Sequence, residues 1–196
     1  VTACFDGCWP NDAKGKNFLH FFQFTNSTHL TIHGNGRIDG SGKGWWNRYT
    51  IGNHSHSSRP KMFVFNGVSD LLIHDLTFVN SPSFNILLKP VLRAEIKNVT
   101  VITDRAVVRQ IKSTMAATRR RLTSASNEQH ALSESYSSTL QPEDLNTDGI
   151  DPMGRDIFIH DCNIQNDDDS IAVKPLSNDY VGDEHLTCTE NVLIEN

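Results

Sequence analysis

Two acidic stretches carry the residues best suited to chemistry. Asp167-Asp168-Asp169 follows an alternating apolar segment and precedes the apolar run IAV, and NTDGID occupies residues 146–151. Carboxylates beside buried strands are costly unless solvent, a cation or a reaction engages them. Alone, the Asp run suits a calcium site, a turn or a catalytic pair. Asp148 and Asp168 are 20 residues apart. In a chain that coils back on itself every 20 to 25 residues, that offset puts them on neighbouring rungs. Their separation along the axis is then roughly 5 Å before the side chains diverge. Two carboxyl groups about 6.5–9.5 Å apart can serve an inverting glycosidase, one as acid and one activating water. Like charges so crowded also keep one proton on the cluster near neutral pH. Consecutive residues of a regular strand face opposite ways, so Asp168 and Asp169 share a cleft only if the backbone bends there.

The elements that must position these residues are visible as a recurring block. Residues 29–34 read HLTIHG, 70–75 DLLIHD, 93–98 RAEIKN, 156–161 DIFIHD and 191–196 NVLIEN. Each has an apolar residue two before an Ile, then a polar residue and Gly, Asp or Asn. The alternation often continues, as in Leu76 and Phe78 or Val99 and Val101, which marks strands with one buried face. Ile73 and Ile96 are 23 residues apart, and Ile159 and Ile194 are 35 apart. Ile96 and Ile159 are 63 apart, which becomes 24 once the dissimilar residues 105–143 are set aside. The 41 residues from Ile32 to Ile73 allow two coils or one coil with a long loop. This period predicts an all-β parallel solenoid with Ile32, Ile73, Ile96, Ile159 and Ile194 stacked in its core. The competing antiparallel sandwich needs two-residue Asn-Gly or Asp-Gly hairpins every 8–12 residues. Asn66-Gly67 and Asp148-Gly149 do not recur at that spacing.

Residues 105–143 differ in kind. Ala106–Thr123 predicts a basic amphipathic helix with Val108, Ile111, Met115 and Leu122 on one side, followed by a Ser-rich flexible stretch. The segment is expected to be poorly ordered or to pack weakly on the outside. Arg119-Arg120-Arg121 would then be a solvated face and the first site of proteolysis, with contact to an anionic polymer the lesser alternative. The chain thus divides into N-terminal coils 1–104, the insert 105–143, and coils 144–196 that hold the acidic motifs.

Composition narrows the function. The 196 residues are 37% apolar and 21% charged, which fits a globular domain. Twenty-three acidic against 18 basic residues give a net charge of -5, which disfavours nucleic acid as a partner. No apolar run approaches a membrane span. The four cysteines, Cys4, Cys8, Cys162 and Cys188, allow three pairings; Cys4 and Cys8 are close enough for a small loop, and no spacing suits zinc. N-x-S/T sequons at Asn26, Asn53 and Asn98 are compatible with secretion. The first residue is Val and the last segment reads as a strand just begun, so the sequence is expected to be a processed or truncated chain.

Taken together, four ordered segments resemble the polygalacturonases, the family 28 glycoside hydrolases: GNGRIDGSGKGWW at 34–46, RPKMFVFNGVSDLLIHDLTFVNSPSFNI at 59–86, NTDGID at 146–151 and NDDDSIAVK at 166–174. The resemblance implies a right-handed parallel β-helix and inverting hydrolysis of α-1,4 linkages in pectic polygalacturonate. It implies no metal or other cofactor, a pectic polysaccharide as partner, secretion, and a monomer. Carried over by motif, Asp168 is the general acid, and Asp148 and Asp169 hold and deprotonate the attacking water. The departures are Ser170 where the family has Cys, Asn85 where His is common, and the insert itself. The family's later G-H-G and R-I-K segments have no counterpart in these 196 residues, and their cations bind substrate carboxylates. Low or no turnover is therefore expected of the 196 residues alone. Two other readings stand beside this one: a non-catalytic carbohydrate-binding solenoid, and a Ca²⁺-dependent pectate lyase.

Overall fold

The computed structural model describes residues 9–15, 17–50, 59–125, 145–176 and 186–196. The Cys4–Cys8 bridge, the Asn53 sequon, the Ser-rich part of the insert and the side chains of Met115, Arg119 and Leu122 lie outside what it describes. Along the chain run β1 (Phe22–Thr25), β2 (Thr28–His33), β3 (Arg37–Asp39), α1 (Lys43–Thr50), β4 (Phe63–Val79), β5 (Ile86–Ile102), α2 (Arg105–Ala125), β6 (Ile150–Asp151), β7 (Gly154–His160), β8 (Asn163–Gln165) and β9 (Glu190–Glu195). Every pairing among these strands is parallel. The described chain is therefore a parallel β-helix. Strands β1, β2 and β3 form one coil, β4 the next, β5 the third, and β6, β7 and β8 the fourth.

The repeat sets the register. Ile32 pairs with Ile73, Ile73 with Ile96, Ile96 with Ile159, and Ile159 with Ile194. Because β2 pairs directly with β4, the 41-residue interval is one coil with a long excursion, and that excursion carries α1. Ile73, Ile96 and Ile159 are buried with Phe65, Phe78, Leu88, Val91, Val101 and Ile150. Ile32 is half-buried, whereas Ile194 is 47% exposed, against expectation. Among the described strands β9 pairs with β7 alone, so only one neighbour covers it.

The coils turn at left-handed residues. His29, Asp70, Arg93, Asp156 and Asn191, each three residues before an aligned Ile, all have φ between 52° and 59°. Asn and Asp tolerate this conformation because their short polar side chains bond locally. Arg93 is tied down instead: its Nε and Nη2 donate to Asp70 Oδ1 and Oδ2 at 2.6 and 2.9 Å. A second corner column holds Asp75, Asn98 and Asp161.

A second, smaller core lies between the helices. Trp46 and Tyr49 of α1 pack with Val108 and Ile111 of α2 and with Leu145. Helix α2 is thus seated through its first two turns, more firmly than the sequence suggests. Gly40 and Gly42 let the chain leave β3 tightly, since a Cβ on either would fall 2.7–2.9 Å from neighbouring atoms. Cys162 and Cys188 are free thiols and do not bridge each other.

Candidate active site

Four backbone hydrogen bonds define the column on which the acidic motifs sit. Phe21 N donates to Lys61 O, Met62 N to Phe84 O, Asn85 N to Asp148 O and Gly149 N to Asp169 O, all at 2.9–3.0 Å. Lys61, Phe84, Asp148 and Asp169 therefore follow one another from coil to coil. The 20-residue offset does what it predicts: NTDGID and the Asp run lie on adjoining rungs. The rungs are so close that a Cβ on Gly149 would come within 2.4 Å of the Ser170 carbonyl.

The required bend is present. Residues 166–170 leave the strand after β8 and form a tight turn. Asn166 Nδ2 donates to Asp169 O at 2.6 Å, and Asp169 N donates to Asp168 Oδ1 at 2.9 Å. Both Asp168 and Asp169 are exposed as a result. Asp148 is placed differently, being only 3% exposed. Its Oδ2 lies 3.2 Å from Lys174 Nζ, which also stands 3.5 Å from Oδ2 of the fully buried Asp151. Burial, with Asp148 adding its charge, pushes the Asp151 carboxyl up to about 7. Partial burial pulls Lys174 down, but Asp151 and Asp148 outweigh it and hold the ammonium above its ordinary range.

Several side chains that sequence reasoning left aside position this site. Asn85 is buried, and its Nδ2 donates to Asp148 O at 2.9 Å and to Thr147 O at 3.3 Å. Buried Arg59 lies over the Tyr49 ring and donates through Nη1 to Pro82 O and Leu145 O. Asp167, the first of the Asp run, is structural: Oδ2 accepts from Leu145 N, Oδ1 from Lys112 Nζ, and its N donates to Thr147 Oγ1. Helix α2 is thereby fastened to the acidic turn. Residue type alone does not separate Asp167 from its neighbours; only the fold does.

Two lysines stand beside this column. Lys61 Nζ and Lys174 Nζ each lie 5.3 Å from the centre of the Phe84 ring. Burial, then Lys89 and Arg59, lower Lys61 to about 8. Burial, then Lys61 and Lys89, lower His20 to about 4.

The fold is a parallel β-helix with carboxylates on adjoining rungs and Lys61 and Lys174 beside them. Over residues 9–191 the sequence matches the glycosyl hydrolases family 28, and the chain belongs to that family of glycoside hydrolases. A probable polygalacturonase of Vitis vinifera is 29% identical over 171 residues, covering 86% of this chain and 27% of that protein. One from Arabidopsis thaliana is 30% identical over 98 residues, covering 47% of this chain and 22% of that protein. Among solved structures, the polygalacturonase from Erwinia carotovora ssp. carotovora superposes with a TM-score of 0.63 at 22% identity, covering 98% of this chain and 42% of its own. The chain thus spans about a quarter of the length of the curated relatives it matches. No helix among the described residues is long and apolar enough to cross a membrane.

Proposed function

We propose that the protein hydrolyses α-1,4-galacturonosidic bonds of pectic polygalacturonate with inversion. The observation that carries this is the column Lys61–Phe84–Asp148–Asp169, which joins the two acidic motifs on adjoining rungs with two lysines beside them. In this reading Asp168, exposed on the turn, protonates the leaving oxygen, while Asp148 and Asp169 hold and deprotonate the attacking water. Lys174 holds the Asp148 carboxylate, and Asn85 holds its backbone. Phe84 offers an apolar face to a sugar ring, and Lys61 offers a cation to a uronate carboxylate. The names of the matched relatives support the substrate. Residues 105–143 are read as an insert between coils 1–104 and 144–196; direct pairing of Ile86 with Ile150 across it supports this. We place the protein outside the cell as a monomer. The exposed sequons at Asn26 and Asn98 are compatible with that.

The test is release of reducing ends from polygalacturonate, with the anomer of the first product read by NMR. Inversion gives the β-anomer first. In a chain that also supplies the family's later G-H-G and R-I-K segments, Asp168→Asn and Asp148→Asn should each lower the rate by about 10²–10⁴-fold, the usual share of a general acid or base. Ultraviolet-absorbing unsaturated ends, abolished by a chelator, would instead establish a lyase.

A further inference from the structure

Beside the acidic turn lies a pocket of about 390 Å³ that plays no part in the roles assigned above. Its volume falls in the range of about 300–1,000 Å³ common to small-ligand sites. Three of its lining residues are arginines: Arg37 from β3, and Arg105 and Arg109 from the first turns of α2. We propose that this pocket is a second, non-catalytic site that takes the carboxylates of a uronate chain.

The charge arrangement of the pocket suits an anion. Arg105 and Arg109 are one turn apart on a helix, where like charges repel, and they stand at its N-terminal end, where the backbone dipole is already positive. The first turn of α2 contains no acidic residue. Only Asp104 lines the pocket with opposite charge, and its Oδ1 is engaged in capping, accepting from Ala106 N and Val107 N at 2.9 and 3.3 Å. Arg37 has a long contact, 3.6 Å, with the exposed Asp39. A contact so open to water holds a guanidinium only weakly and leaves it available to a ligand. Arginines from two elements lining one cavity are suited to carboxylates, which guanidinium groups bind in fork geometry. Gln165 contributes an exposed amide able to meet hydroxyl groups.

Position selects a uronate polymer over an isolated anion. The pocket runs across β3 and the ends of β4, β5 and β8, along the direction in which the coils stack. Gln165 is four residues from Asp169, so pocket and acidic turn are within about 14 Å of each other. Lys112 of the same helix is ion-paired to Asp167 at 3.0 Å, which fixes the arginines relative to the turn. This inference rests on the pectic-substrate reading above.

Isothermal titration of the 196-residue chain with trigalacturonate, its methyl ester and inorganic phosphate tests the proposal. Trigalacturonate should bind at two sites, with the methyl ester at least tenfold weaker. Arg105→Gln/Arg109→Gln should reduce the stoichiometry to one, the lost site weakening roughly tenfold or more. Gln keeps helix propensity, so α2 should persist by circular dichroism. Arg37→Gln, which leaves the helix untouched, should weaken the same site. Unchanged binding in all the Arg variants, loss only in Lys61→Gln, or no binding by the wild type would each overturn the proposal. Phosphate competing at equal concentration would overturn the uronate assignment. Unsaturated, ultraviolet-absorbing ends in place of plain reducing ends would sink the hydrolase reading and, with Arg-dependent binding intact, leave this site standing. Release that is unaffected while binding ignores the arginines would do the reverse.

Discussion

Asp151 and His20 pull the pH dependence of stability in opposite directions. Burial and then Asp148 raise Asp151 from its ordinary 3.8 to about 7. The folded state therefore binds a proton that the unfolded chain has released. This contribution is full below about 3.8 and is lost as pH rises through 7. His20 is lowered from 6.5 to about 4, by burial first and then by Lys61 and Lys89. Its contribution is present above 6.5 and is lost as pH falls through 4. The two slopes oppose each other between about pH 4 and 6.5. Replacing Asp151 with Asn should remove one of them. Melting temperatures of the variant relative to wild type should shift in the variant's favour as pH rises from 4 to 7, then level off. A difference independent of pH would contradict the buried, proton-holding Asp151. Asn85 offers a second test. Asn85→Ala removes two hydrogen bonds to the Thr147 and Asp148 carbonyls, at a cost of about 1–3 kcal/mol in stability. Because it acts on the backbone that carries Asp148, kcat for polygalacturonate should fall more than KM rises. A change in KM alone would assign Asn85 to substrate binding instead.

At the scale of elements, the tightest constraint is the entry to β7. Between β5 and the fourth coil the register slips by one residue: Leu87 faces Asp151, but Val91 faces Gly154. Gly154 absorbs the slip with φ of 137°, and a Cβ there would lie 1.9 Å from Val91 O. Gly15 also has positive φ, yet nothing stands within 4 Å of its missing Cβ. Gly15→Ala should therefore cost about 1–2 kcal/mol, for backbone strain alone. Gly154→Ala should cost more than about 3 kcal/mol, since rungs must part as well. Chemical denaturation of both variants checks the contrast; equal costs would mean that strand spacing there is slack. Helix α2 illustrates the same coupling between packing and placement. Its sequence marks an amphipathic helix, but not that Val108 and Ile111 would find Trp46 and Tyr49 of another excursion.

The described strands form a stack in which the strands of each coil pair only with those of adjoining coils, so protection should follow position in the stack. β4 and β5 are each hydrogen-bonded on both sides, and their inward residues Phe65, Phe78, Ile86, Val91 and Ile96 are buried. Native-state hydrogen exchange should find the slowest amides in these two strands, with β1, β2 and β9 exchanging faster. Uniform protection from β1 to β9 would indicate one all-or-none unit instead.

The features legible in the sequence are those that repeat. A parallel stack places equivalent residues at a fixed period, so the Ile blocks, their intervals and the 20-residue offset of Asp148 and Asp168 specify coil, register and adjoining rungs. Non-repeating features had no such signal. That the first interval is one coil emerges from the pairing of β2 with β4, which is a contact and not a pattern. The fold alone separates the roles within the acidic motifs: Asp167 bonded to Leu145 and Lys112, Asp168 and Asp169 turned to solvent, Asp148 and Asp151 drawn inward to Lys174. Five carboxylates of the same type differ because burial, backbone bend and the nearest cation are set by residues distant along the chain.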